Sequence, residues 1–167
     1  MVRYVIIATK SGWVGMVGSE AGLSYLTLPQ PSPVAAIVML EELITNAVEA
    51  ISAFGDLPYR LRCYFNGDKV IFPDKLDLRG STPFQQAVWR VTRSIPYGET
   101  RSYAWVAEQI KRPEAMRAVG QALAGNPLPI IVPCHRVVAS GGKLGGFSGG
   151  VEMKRYLLSL EAPASIR

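Results

Sequence analysis

The sequence predicts an α/β protein of the α+β kind in two domains, with an N-terminal antiparallel sheet plus helix and a C-terminal, mostly helical domain holding a helix-turn-helix and a short sheet. Three observations predict it. The first thirty residues alternate apolar and polar positions between glycines, the sharpest helix starts lie beyond residue 80, and the charge changes sign between the two regions. Residues 1–78 hold 6 Lys/Arg against 8 Asp/Glu and residues 79–167 hold 12 against 5, so the first domain carries −2 and the second +7. The domains are accordingly expected at 1–78 and 79–167.

In order along the chain, residues 4–8, 12–17 and 22–28 read as a meander whose turns fall at the glycines. After Pro29, Pro31 and Pro33, residues 34–54 place Ile37, Leu40, Leu43, Ile44 and Val48 at helical spacing, which predicts one helix covering the sheet. Residues 59–65 read as a further strand ending at Asn66-Gly67, and residues 73–80 as a linker. Thr82-Pro83-Phe84-Gln85 is a helix start, with Thr82 as N-cap, Pro83 in the first turn and Gln85 able to reach back. Phe84, Ala87, Val88, Val91 and Ile95 form its apolar stripe, and Pro96-Tyr97-Gly98 ends it. Ser102 caps a second helix over 103–110, and Lys111-Arg112-Pro113 separates it from a third over 114–124. That pair reads as a helix-turn-helix, a plain helical hairpin being the alternative. Ile130-Ile131-Val132 reads as a buried strand, followed by Pro133-Cys134-His135-Arg136, a glycine-rich loop over 141–150 and a last helix over 151–160 with Met153, Tyr156, Leu157 and Leu160 inward.

Composition excludes several functions. At 167 residues and 49% hydrophobic the chain can bury a core, yet no run approaches the roughly 20 apolar residues of a membrane span, and the N-terminus lacks a signal-peptide pattern. An intracellular protein with no membrane partner is expected, so Cys63 and Cys134 are read as free thiols. One histidine and two cysteines are too few for a structural zinc site, and neither metal nor cofactor is expected. The basic second domain fits a polyanion partner, although a solvated basic surface accounts for the charge equally well.

Chemistry concentrates at Cys134-His135. A cysteine of pKa about 8.5 is mostly protonated at neutral pH, so a nucleophilic thiol needs a base or a positive charge nearby. His135 is the one histidine, directly or through a water, and Glu161 is a candidate to orient it; Asn126 can tie down backbone groups of neighbouring turns. By itself the dipeptide is more often a buried structural thiol beside a satisfied histidine.

The longer string decides more. Arg117-Ala118-Val119-Gly120, Gly125-Asn126-Pro127 and Pro129-Ile130-Ile131-Val132-Pro133-Cys134-His135-Arg136-Val137-Val138 closely resemble the signature of O6-alkylguanine-DNA alkyltransferases. The resemblance runs from about residue 82 to 161. It implies a ribonuclease-H-like N-terminal domain and single-turnover, irreversible transfer of an alkyl group, such as methyl, from O6-alkylguanine to Cys134, activated through a water by His135 with Glu161 behind it. It also implies Asn126 as the hinge between recognition helix and active-site turn, Arg117 filling the stack left by a flipped nucleotide, and Tyr103 against the 3′ phosphate. The pocket would be walled by Tyr103, Pro129, Val137, Ser148 and Gly149, and the helix would enter the minor groove of double-stranded DNA on small residues, Ala115, Ala118 and Ala122. Arg136 is grouped with the DNA contacts. The implied protein is a monomeric DNA-repair methyltransferase of the cytoplasm and nucleoid, or of the nucleus in a eukaryote. Phe147, where a tyrosine is often found, and Met116, where an alanine is expected, depart from the pattern. The competing readings are an alkylguanine sensor that binds without transfer, and a cysteine hydrolase unrelated to DNA.

Overall fold

The computed structural model describes residues 1–163, which form two compact units, Met1–Leu78 and a second that begins at Arg79; residues 164–167 of the expected second domain lie outside the described residues. In the first unit the meander forms as expected, with β1 (Arg3–Thr9), β2 (Gly12–Ser19) and β3 (Gly22–Leu26) antiparallel. Val5 faces Met16 and Ile7 faces Val14 across β1 and β2, and all four are buried, so one side of the sheet is the core side.

The helix expected over 34–54 is shorter. It is α1 (Pro33–Leu40), capped by the Ser32 hydroxyl, which accepts from Ala35 N at 3.0 Å. Of the predicted face only Leu40 is buried, together with Ala36, while Ile37, Leu43 and Val48 stay exposed. The chain leaves the helix to place β4 (Val48–Glu49) parallel to β1, where Val48 N donates to Val2 O and Ala50 N to Tyr4 O. Gly15 lets α1 lie on the sheet, because a Cβ there would meet Leu40 Cδ1 at 2.7 Å.

Residues 59–65, read from sequence as a strand, lie in a helix, α2 (Leu57–Phe65). Pro58 sits in its first turn, and the buried Leu57, Leu61, Tyr64 and Phe65 follow helical spacing. The first half of the expected linker is also ordered against the sheet: Leu23 N donates to Lys75 O and Asp77 N to Leu23 O, and Arg60 holds Asp74 through two bonds of 2.9 and 2.7 Å.

In the second unit α3 (Pro83–Arg93) starts at the predicted capping box, with Gln85 N to Thr82 Oγ1 at 3.1 Å and Thr82 N to Gln85 Oε1 at 2.9 Å. The short strand β5 (Arg101–Ser102) leads into α4 (Tyr103–Gln109), whose cap is Ser102 Oγ accepting from Trp105 N. Then come α5 (Met116–Ala124), β6 (Val137–Val138), parallel to β5, and α6 (Val151–Glu161). Val88, Trp89, Thr92, Val106, Val119, Leu123 and Leu157 make the core. Ala122 belongs to it too: it is buried and its carbonyl accepts from Trp89 Nε1 at 2.8 Å, so it cannot be one of the small residues that admit DNA. Tyr156, expected inward, is 39% exposed. Residues 130–132 are buried as expected but form a turn instead of a strand, with Ile130 at φ 76°.

Candidate active site

That turn delivers Cys134 to a single helical turn of 3₁₀ type, Cys134–Arg136, which replaces the extended geometry expected there. In the bend successive side chains project roughly 120° apart, where a strand would have put them on opposite faces. A β-branched residue in the left-handed region costs about 1–3 kcal/mol, and Ile130 is held there by its own burial, at 1% exposure.

Asn126, just beyond the end of α5, braces the turn. Its Nδ2 donates to Val132 O at 2.9 Å and to Cys134 Sγ at 3.2 Å, and its Oδ1 accepts from Leu128 N at 2.9 Å. The thiol is nearly buried. Burial pushes its pKa up; the Asn126 hydrogen bond, the Lys154 ammonium and the backbone N–H groups of Cys134 and His135 pull the other way without prevailing.

Behind the thiol lies a second layer built on the last residue of α6. Glu161 accepts from His135 Nε2 at 2.5 Å, from Arg136 Nε at 2.8 Å and Nη2 at 3.1 Å, and from Gly98 N at 3.1 Å. Burial alone would raise the Glu161 pKa, but the bonds from His135 and Arg136 outweigh it and hold it at about 2. Burial pushes the His135 pKa down despite Glu161, so the imidazole is neutral at pH 7 and its Nε2 proton points at a carboxylate that can only accept. His135 Nδ1 is then the basic nitrogen. Arg136, grouped from sequence with the DNA contacts, is placed otherwise: it is 7% exposed, paired with Glu161, and donates through Nη1 to Ile95 O at 2.8 Å. Its charge neutralises the carboxylate inside the protein.

A cleft of about 680 Å3 opens over Cys134, lined among others by Tyr103, Met116, Arg117, Gln121, Phe147 and Ser148. Of the pocket walls expected from sequence, Tyr103 and Ser148 line it, and Pro129, Val137 and Gly149 do not. Arg117 is exposed on α5, Ala115 and Ala118 are half-buried beside it, and Tyr103 is half-buried at the start of α4. Gly145 (φ 77°) lies so close to Tyr103 that a Cβ would stand 2.7 Å from its hydroxyl.

Sequence reasoning missed Lys154. It is completely buried, donating from Nζ to Val137 O at 2.7 Å and Gly146 O at 3.0 Å, with Tyr103 Oη at 3.5 Å, so it ties the glycine-rich loop to β6. Burial lowers its pKa to about 8, against the raising influence of the Cys134 thiolate. The available signal was positional, since Lys154, Leu157 and Glu161 share one helical stripe. No three His, Cys, Asp or Glu side chains gather as a metal site among the described residues, and no helix among them is long and apolar enough to cross a membrane.

Fold and site together define a class: a cysteine-nucleophile protein whose thiol sits under a helix-turn-helix, backed by a His–Glu pair and braced by an asparagine. Residues 83–163 match the family model described as the 6-O-methylguanine DNA methyltransferase DNA-binding domain. A methylated-DNA–protein-cysteine methyltransferase of Mycobacterium bovis is 53% identical over 99% of this chain and 98% of its own length, and one of Methanosarcina acetivorans is 39% identical over 95% and 97%. The crystal structure of Mycobacterium tuberculosis OGT in complex with DNA superposes with a TM-score of 0.80 at 43% identity, covering 97% of this chain and 96% of that one. The chain belongs to the O6-methylguanine DNA methyltransferase family.

Proposed function

We propose that this protein repairs DNA directly, moving the methyl or other alkyl group of O6-alkylguanine onto Cys134 once and irreversibly. The observation that carries the reading is Cys134 at the floor of the cleft, hydrogen-bonded by Asn126 and followed by the neutral His135 on an ionised Glu161. His135, through a water, takes the thiol proton at Nδ1, and the imidazolium so formed is stabilised by Glu161. Sγ bonds to the alkyl carbon as the carbon–O6 bond breaks, the electron pair goes to O6, and the restored guanine takes up a proton in place of the one the thiol gave. Because burial disfavours the thiolate, the nucleophile forms only as the proton leaves toward His135.

The O6 carbon is out of reach in stacked duplex, so the nucleotide must turn out of the helix at a cost of a few kcal/mol. Arg117, exposed on α5 beside the cleft, fills the vacated stack, and Tyr103 crowds the 3′ phosphate while Ser148 lines the base pocket. The basic unit approaches the minor groove with α5, Ala115 and Ala118 leaving room for the backbone. Acting on chromosomal DNA calls for a protein of the cytoplasm at the nucleoid, or of the nucleus in a eukaryote. A thioether is stable, and Cys134 is the one thiol lining the cleft, so nothing there resolves the product.

Intact-protein mass spectrometry after incubation with duplex containing O6-methylguanine tests this. One methyl, mapped to Cys134 and saturating at one per molecule, is expected; lesion binding with no mass shift, or label on Cys134→Ala, would overturn it.

A further inference from the structure

The face of α5 turned away from the core is a single stripe. Val119, Ala122 and Leu123 are buried, whereas Met116, Arg117, Gln121 and Ala124 are exposed, and all four line the cleft that holds Cys134. Within that stripe Gln121 stands one helical turn beyond Arg117, on the same face. Its side-chain amide makes no hydrogen bond to any described residue, and nothing about helix stability calls for glutamine there. The unit carries +7, which matches a polyanion laid across this face.

We propose that Gln121 reads a base edge in the minor groove next to the lesion and makes repair depend on sequence context. The inference rests on the proposed function, with α5 in the minor groove. In that groove an A·T pair offers only acceptors, whereas a G·C pair adds the guanine N2 amino donor beside N3. An amide carries both complements: Oε1 accepts from the N2 amino group while Nε2 donates to N3. Glutamine is thus suited to discriminate the one feature the minor groove displays, and its amide atoms lie about three bonds beyond the Cβ at which Ala124 on the same stripe ends. A flanking guanine is the base it selects.

The test replaces that guanine by inosine, which deletes the N2 amino group and leaves the major groove unchanged. Single-turnover methyl transfer is followed on duplexes with O6-methylguanine flanked on either side by G·C or I·C, for the wild type and Gln121→Ala. One bidentate base contact is worth at least about fivefold, so the wild-type G·C to I·C rate ratio should exceed that of the variant by about that factor on one side of the lesion. Comparing ratios removes the weaker pairing of inosine, which acts on both proteins alike. Alanine is the better helix former, so the variant keeps α5. Equal ratios in the two proteins on both sides would overturn the assignment. No methyl transfer by the wild type on any duplex would instead overturn the proposed function.

Discussion

Glu161→Gln removes one negative charge and keeps the volume, and the structure sets the size of its effect. The carboxylate pKa falls from the ordinary 4.5 to about 2, a gap of about 2.5 that corresponds to about 3 kcal/mol of folding stability. An independent route gives the same scale, because breaking a buried ion pair and leaving its partner unpaired costs about 3–5 kcal/mol, and Arg136 would be the partner left. With a urea slope of roughly 2 kcal/mol per molar, the midpoint of the second unit should fall by about 1.5 M at pH 7. The sign with pH is definite. A carboxylate with a depressed folded pKa contributes fully above its unfolded value and loses that contribution as pH falls through the folded one, so the difference between wild type and variant should shrink from pH 4.5 and vanish near pH 2. His135, whose folded pKa is also depressed, adds a loss that begins below its unfolded value of about 6.5. Urea titrations at pH 7, 4 and 2.5 measure this, and an E161Q midpoint equal to wild type at pH 7 would refute the account of Glu161 as the buried counter-charge.

Three further outcomes are expected. Asn126→Ala leaves Leu128 N buried without its partner, while Val132 O keeps its bond from Cys134 N, which should cost about 1–3 kcal/mol by denaturation, and it should move the pH profile of Cys134 alkylation by iodoacetamide to higher pH through loss of the bond to sulfur. Gly145→Ala puts a methyl 2.7 Å from the Tyr103 hydroxyl in a left-handed backbone and should slow transfer about tenfold in single-turnover assays. Arg117→Ala should slow transfer about ten- to a hundredfold on duplex and far less on single strands, where no stack has to be filled.

Local signals were legible in the sequence and distant ones were not. The Thr82 capping box and the Ser102 cap depend on residues within three positions, and both form as read. The meander was equally plain from its alternation. Over 59–65 the aromatic residues suit a strand, but Pro58 in the first turn and the Leu57, Leu61, Tyr64 spacing make a helix. The helix over 34–54 was overextended because apolar spacing continues past Leu40, while pairing of Val48 with β1 is a partner 45 residues away that periodicity cannot see. At the site, Cys134, His135, Asn126 and Glu161 could be named, but the direction of Arg136 was set by Glu161 and Ile95, and the burial of Lys154 by three carbonyl and hydroxyl oxygens on other segments.

Glu161 joins Gly98, His135 and Arg136, so one side chain closes the end of α6 against two other stretches of chain. A descendant that abandoned the chemistry would still depend on that closure to stay folded, and selection for foldedness alone would preserve the histidine, the arginine and the glutamate. Their presence in a sequence therefore testifies to architecture. Only the sulfur of Cys134, whose contacts to the Asn126 amide and to the N–H groups of its own turn close no junction of that kind, testifies to a working reagent.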